Sequence, residues 1–273
     1  MPIAALVPPR SRKRSMARSE AIAVEAEGVP AVPPLDARIA GLNDRYAGVP
    51  THDLLAGVLG DDFAGRIAVV SSFGAESAVL LHLIAEVDRG LPVLFVDTEK
   101  LFGETRRYRN KLIEQLGLTD VRTLKPDPAR IAALDAKGAL WSTNPDLCCQ
   151  IRKVEPLAAA VAGFDAWISG RKRFQATTRA AIPLFEAEGP RIKVNPLADW
   201  GPAELQDYAD KHGLSPHPLV ADGYLSIGCM PCTDPVAPGE DARSGRWRGQ
   251  AKTECGIHRG GLIRADEANG SGI

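Results

Sequence analysis

Five cysteines divide this chain between two kinds of chemistry. Cys148 and Cys149 are adjacent, Cys229 and Cys232 are separated by Met-Pro, and Cys255 stands alone in Lys252-Thr-Glu-Cys255-Gly-Ile-His258. Four thiolates in two close pairs suit either tetrahedral zinc or an iron–sulfur cluster. Adjacent cysteines are strained as joint ligands of one zinc ion, whereas a cluster can take each sulfur on a different iron. The tandem pair therefore tilts the reading towards iron–sulfur, with a structural zinc and buried unliganded thiols as the alternatives. Two pairs about eighty residues apart would also staple the C-terminal segment to the core. The lone Cys255 reads as a reactive thiol. Lys252 and His258, three residues to either side, could lower its pKa. A free thiol is only a few per cent thiolate at neutral pH, so ionisation alone gains roughly tenfold; positioning and charge stabilisation must supply the rest. Its polar, Gly-flanked setting argues against a core cysteine, and an exposed incidental thiol is the bland alternative.

Basic residues recur beside these cysteines. Lys153 follows the tandem pair, Ser169-Gly-Arg171-Lys172-Arg173 follows an apolar run, and Arg243-Ser-Gly-Arg246-Trp247 lies between Cys232 and Cys255. Each alone reads as a solvated surface run. Together they suggest a site for a small polyanion, since guanidinium forks suit phosphate and sulfate oxygens.

These groups need a scaffold. Arg66–Ser71 and Leu91–Val96 are short β-rich apolar runs of the kind buried in parallel sheets. Val121–Pro126, Asp165–Ser169 and Arg191–Val194 read as three further strands. Helices are expected in the forties and over 52–59, 78–87, 102–117, 128–137, 149–162 and 202–212, the last with Pro202 in its first turn. Alternation of this kind predicts an α/β fold, a twisted parallel sheet flanked by helices. From Gly213 the chain turns Gly- and Pro-rich, yet it holds three of the five cysteines. The expected organisation is a poorly ordered tail over 1–34, an α/β domain over 35–212, and an irregular C-terminal segment over 213–273 packed on that domain. Arg10-Ser-Arg-Lys-Arg14 also bears some resemblance to a transit peptide, and Met16 is a second candidate start.

Ligands bind beyond the carboxyl ends of strands in such folds. Ser72-Phe-Gly-Ala-Glu-Ser77 lies at one such end, just before a helix, so Ser72, Gly74 and Ser77 become candidates for a nucleotide or anion loop. A tight strand-to-helix turn is the structural alternative. The loop lacks the pattern of the common P-loop.

The 273 residues carry 33 basic and 34 acidic side chains, which gives no argument for nucleic acid. No apolar run approaches a membrane span. An odd cysteine count without a signal-type segment argues against a secreted disulfide framework and for the cytoplasm.

The loop resembles the Ser-Gly-Gly-x-Asp-Ser loop of the ATP-pyrophosphatase (PP-loop, adenine nucleotide α-hydrolase-like) family, with Phe73 at the first Gly and Glu76 at the Asp. Those departures count against ordinary ATP cleavage. More of the chain, over about 65–258, resembles the assimilatory adenosine 5′-phosphosulfate (APS) reductases. The resemblance rests on the loop, on Asp97-Thr98 and Phe102–Thr105, and on Cys148-Cys-x-x-Arg-Lys153-x-x-Pro156-Leu157. It continues through Gly170–Gln175, Asn195-Pro-Leu-x-x-Trp200, Gly223–Thr233, Arg243–Trp247 and Glu254–His258. It implies one [4Fe-4S] cluster on Cys148, Cys149, Cys229 and Cys232. It also implies attack by Cys255 on the sulfur of APS to give a thiosulfonate, and release of sulfite by thioredoxin or glutaredoxin. Lys153, Arg243, Arg246 and His258 would hold the phosphosulfate; Ser72, Gly74 and Ser77 would line the nucleotide loop, and Arg171 would contact the nucleotide. Many relatives have Arg-Arg-Asp-Gln-Ser where this chain has Arg171-Lys-Arg-Phe-Gln-Ala, so the Arg171 assignment is the looser one. Plant-type members carry a fused thioredoxin-like domain, whereas this chain stops soon after His258, so a separate donor is expected. The alternatives are a reductase of the 3′-phosphorylated substrate (PAPS) or of both substrates, a PP-loop tRNA-thiolating enzyme, and a non-catalytic zinc-stapled nucleotide module. Oligomeric state, including a homo-oligomer, stays open.

Overall fold

A computed structural model describes residues 33–250, Lys252 and residues 254–258, the His258 side chain excepted. The expected tail over 1–34 thus lies almost wholly outside the described residues. The described residues from Pro34 onward belong to one compact unit.

The elements alternate as their apolar patterns require. Helices α1 (Leu35–Tyr46) and α2 (Thr51–Gly57) lead into β1 (Ile67–Ser71), α3 (Ser77–Val87), β2 (Val93–Val96), α4 (Gly103–Leu116) and β3 (Val121–Leu124). Short helices α5 (Pro128–Leu134), α6 (Leu140–Thr143) and α7 (Pro145–Cys149) follow, then α8 (Glu155–Val161), β4 (Ala166–Ile168), β5 (Phe185–Glu188), β6 (Arg191–Val194) and α9 (Pro202–Lys211). The strands form one sheet in the order β3-β2-β1-β4-β6-β5, all parallel except β5, which pairs antiparallel with β6. Strand order reverses between β1 and β4, so the crevice where α/β folds bind ligands opens at their carboxyl ends.

Both faces of the sheet are covered, and a period of two sorts the residues. Ile67, Val69, Val93, Phe95, Ala166 and Ile168 join the larger core with α1, α2, α3, α4 and α9. Ala68, Leu94 and Trp167 point the other way, onto Val154, Leu157 and Val161. This two-sided burial is why the strands read as continuous apolar runs.

Two elements differ from expectation. Strand β5 was not foreseen, because Phe-Glu-Ala-Glu lacks the β-branched run that marks buried strands. It is an edge strand held by β6 and by Asn43, which accepts from the Phe185 N–H and donates to its carbonyl. The helix expected over 149–162 is divided: α7 ends at Cys149, a π-helical turn spans Gln150–Val154, and α8 resumes at Glu155. Such turns insert a residue and re-aim side chains, and they concentrate at functional sites.

Candidate active site

The π-helical turn faces the end of β2 through a buried ion pair. Arg152 donates to Asp135 Oδ2 at 2.8 and 3.2 Å and to the Thr98 carbonyl at 3.0 Å, with both charged side chains nearly inaccessible. The tandem cysteines are thereby fixed beside Asp97-Thr98. The second pair is brought to the same place by backbone pairing. Cys229 bridges Leu101, and the Met230 N–H donates to the Lys100 carbonyl at 2.8 Å. Thr233 bridges Arg246, and the Trp247 N–H donates to the Cys232 carbonyl at 3.1 Å.

As a result Cys148, Cys149, Cys229 and Cys232 line one pocket, together with Lys100, Trp141, Arg152 and Lys153. Among the described residues, no group of three or more His, Cys, Asp or Glu side chains is gathered closely enough to hold a metal ion. The four thiols that line this pocket are the residues available to hold a metal group.

The pocket's surroundings treat its four thiols differently. Burial pushes Cys148 up to about 11, the neighbouring Cys149 and Cys229 adding to it, and burial likewise raises Cys149 and Cys232. Cys229 goes the other way. Burial opposes its ionisation, but the Lys153 ammonium and the Thr98 hydroxyl, 3.1 Å from the sulfur, outweigh it. Lys153 is half-buried among these sulfurs. Its burial alone would favour the neutral amine, but Cys229, Cys149 and Cys255 reverse this and hold it firmly protonated.

Cys255 sits against this pocket. It is buried, in contrast to the non-core thiol expected from its polar flanks, and packs with Cys149 and Trp247, with Cys232 and Ile257 beside them. Gly256 makes this possible: a Cβ there would stand 2.8 Å from Val154 Cγ2 on the π-helical turn. Lys252 lies over the Trp247 ring and pairs with Asp146. The His258 side chain lies outside the described residues.

The other expected residues divide. Arg246 stacks over Trp247, 4.5 Å from its ring centroid, beside the second cysteine pair. Arg243 donates to Glu254 at 3.2 Å, next to Cys255. Arg171 is turned inward, where it pairs with Glu186 and donates to Asn195 at 3.2 Å. Burial lowers its pKa to about 10, aided by Arg179 and opposed by Glu254 and Glu188. Ser72 is exposed at the end of β1, Gly74 follows, and Ser77 opens α3. The loop adjoins the C-terminal segment through Ala75, which packs on Phe102, Leu219 and Ile227.

Several participants had no distinct signal in sequence. Thr98, Trp247 and Gln175 lay within quoted motifs and Arg179 outside them, and only contacts across the fold give them partners.

Residues 66–235 match the phosphoadenosine phosphosulfate reductase domain. The chain is 57% identical to the adenosine 5′-phosphosulfate reductase of Mesorhizobium japonicum, over 83% of this chain and 89% of that protein. It is 43% identical to the enzyme of the same name from Rhodococcus opacus, over 71% and 79%. The chain belongs to the APS/PAPS reductase family. It is therefore an oxidoreductase of that family. Its fold is similar to the phosphoadenylyl-sulfate reductase of Candida auris, with a TM-score of 0.64 and 24% identity over 75% of this chain and all of that one. Among the described residues no helix is long and apolar enough to cross a membrane.

Proposed function

We propose that the protein reduces adenosine 5′-phosphosulfate to sulfite and AMP in sulfate assimilation, with Cys255 as nucleophile. The observation that carries this reading is the packing of Cys255 against Cys149 and Cys232, on a pocket lined by four cysteines and Lys153. The names of the similar reductases favour APS over its 3′-phosphorylated form.

In this reading the Cys255 thiolate attacks the sulfonate sulfur, an Sγ–S bond forms, the S–O bond to the nucleotide breaks, and AMP leaves. A thiolate of thioredoxin, or of glutaredoxin, then attacks Cys255 Sγ, expelling sulfite and leaving a mixed disulfide. The second thiol of the donor resolves that disulfide and returns Cys255 as a thiol. The sulfonate oxygens repel an approaching thiolate, so cations must screen them. Lys153 and Arg246 stand beside the thiols for that purpose, and Arg243 is one residue's contact away through Glu254. Ser72, Gly74 and Ser77 would receive the nucleotide, at the end of β1 and the start of α3. Cys148, Cys149, Cys229 and Cys232 would hold a [4Fe-4S] cluster. When bound, it would tune the field at the sulfonate without exchanging electrons. Reducing cytoplasm would keep all five cysteines available for these roles.

Intact mass of anaerobically purified protein incubated with APS and no thioredoxin tests the reading. A sulfonate adduct on Cys255, discharged as sulfite when thioredoxin is added, is the expected result. Absence of any adduct in protein containing iron and sulfide would overturn the assignment of APS as substrate.

A further inference from the structure

The segment that carries Cys255 is tied to the nucleotide loop by an unbroken chain of side-chain hydrogen bonds. It starts at Glu76 in the loop. Glu76 Oε2 accepts from Gln175 Nε2 at 2.6 Å and from the buried Lys172 Nζ at 2.8 Å. The other end of the same Gln175 amide, Oε1, accepts from Arg179 Nη1 at 2.5 Å. Arg179 then grips Glu254 with a two-pronged contact, Nε to Oε1 at 2.7 Å and Nη2 to Oε2 at 2.9 Å. Glu254 immediately precedes Cys255. The Arg179–Glu254 pair is buried, with each side chain 8% exposed, and Arg243 closes on the same carboxylate.

We infer that Gln175 and Arg179 are positioning residues for the reductase reaction, holding Cys255 in register with the nucleotide loop through Glu254 and Glu76. The inference rests on the reading of Cys255 as the nucleophile. Each member has the chemistry its place demands. Gln175 must donate to a carboxylate at one end and accept from a guanidinium at the other, which an amide does and neither Glu nor Lys can. Arg179 must meet a carboxylate with a planar fork, which Lys cannot. Glu76 must reach Gln175 from the loop, and Asp would fall one methylene short. The departure at position 76 from the ATP-type loop thereby gains a physical reason. A nucleophile misplaced by about 1 Å loses on the order of a hundredfold in rate, which gives a use to a relay that runs from the half-buried Glu76 and Gln175 to the buried Arg179 and Glu254, next to Cys255.

The test is the rate at which iodoacetamide alkylates Cys255 in the full-length, metal-loaded protein, read on the Cys255 peptide by mass spectrometry. Buried and docked, Cys255 reacts slowly; freed, it reacts faster. Gln175→Leu and Arg179→Lys should each raise the rate about tenfold, and Glu76→Asp should raise it by a smaller factor. The double variant Gln175→Leu/Arg179→Lys should be no faster than the quicker single variant, because one break opens the whole relay. In turnover, both single variants should lose kcat with KM for APS little changed. Alkylation within twofold of the unmodified protein for Gln175→Leu and Glu76→Asp, or effects that multiply in the double variant, would overturn the relay. The nucleophile assignment fails separately: Cys255→Ser would then retain turnover while the alkylation pattern held.

Discussion

Phe73 offers a sharp test of the loop. Its φ is 48°, in the left-handed region, and its ring is fully buried, edge-on to Phe95 with centroids 5.4 Å apart. A non-glycine residue in that region costs ~1–2 kcal/mol. The backbone is thus in a conformation that suits glycine, and burial of the ring holds a phenylalanine there. Removing the ring by Phe73→Ala forfeits about 3–5 kcal/mol and keeps the strain. Phe73→Gly forfeits the same ring but relieves the strain. Glycine normally costs roughly 0.5–1 kcal/mol more than alanine through its greater unfolded-state freedom. Here the relief exceeds that cost, so Phe73→Gly is expected to be more stable than Phe73→Ala by about 0.5–1 kcal/mol. Urea unfolding followed by tryptophan fluorescence measures the difference, provided the two variants share the same m value. If Phe73→Ala proved the more stable, the argument that this loop is strained at residue 73 would be wrong.

Other expectations follow from the same contacts. Gly245→Ala would place a methyl 2.1 Å from the Asp234 carbonyl oxygen, in the pairing that carries Cys232; about 1–3 kcal/mol of stability should be lost on thermal unfolding. Asp135→Ala strands the buried Arg152 charge, and urea titration should report a loss of about 3–5 kcal/mol. Burial opposes ionisation of Asp135 and Glu254, but the Leu140 N–H and Arg152 for the first, and Arg179 and Arg243 for the second, hold both below the usual carboxylate range. A depressed folded pKa adds stability above the unfolded value of ~4 and loses it as pH falls through the folded value, so stability should drop below about pH 5. Asp135→Asn should make that acid limb shallower; an unchanged slope would refute the assignment. Cys255→Ser should abolish sulfite release while leaving nucleotide affinity within about twofold.

The sheet was legible because strands buried on both faces cannot hide their composition. Ile67–Ser71 and Val93–Val96 have no polar face to confuse the pattern. Strand β5 was illegible for the converse reason: its Glu186 and Glu188 read as surface residues, although Glu188 is buried against Lys193. The cysteines announced themselves by type and spacing, since few structural demands place five thiols in this arrangement. What sequence could not give was which charge meets which. Arg171, Lys172, Arg173 and Arg179 form one basic stretch, yet they reach four different carboxylates, Glu186, Glu76, Asp199 and Glu254, on four separate parts of the chain. Those pairings are set by tertiary distance, to which local spacing is blind. The burial of Cys255 was misjudged for the same reason, because its cover comes from Cys149 and Trp247 rather than from its own neighbours.

The pairing pattern bears on how such a site can stay folded while gathering so much positive charge. Arg171, Lys172, Arg179, Arg243 and Lys193 would destabilise a dry interior if left uncompensated, and each has a carboxylate against it. Lys153 is compensated differently. The groups that favour its charge are the sulfurs of Cys229, Cys149 and Cys255. A carboxylate at that place would neutralise the ammonium permanently and repel an incoming sulfonate. Thiols leave the positive charge available to whatever binds beside them, and they bring it next to Cys255. The position therefore requires a cation whose partners are sulfur. Lys153→Met should leave the packing of the π-helical turn intact while raising the pH at which Cys229 is alkylated, because the ammonium that lowers its pKa is gone. Were the alkylation profile of Cys229 in metal-free protein to stay unchanged, the charge would be acting elsewhere, and the case for Lys153 as the cation serving the thiols would fail.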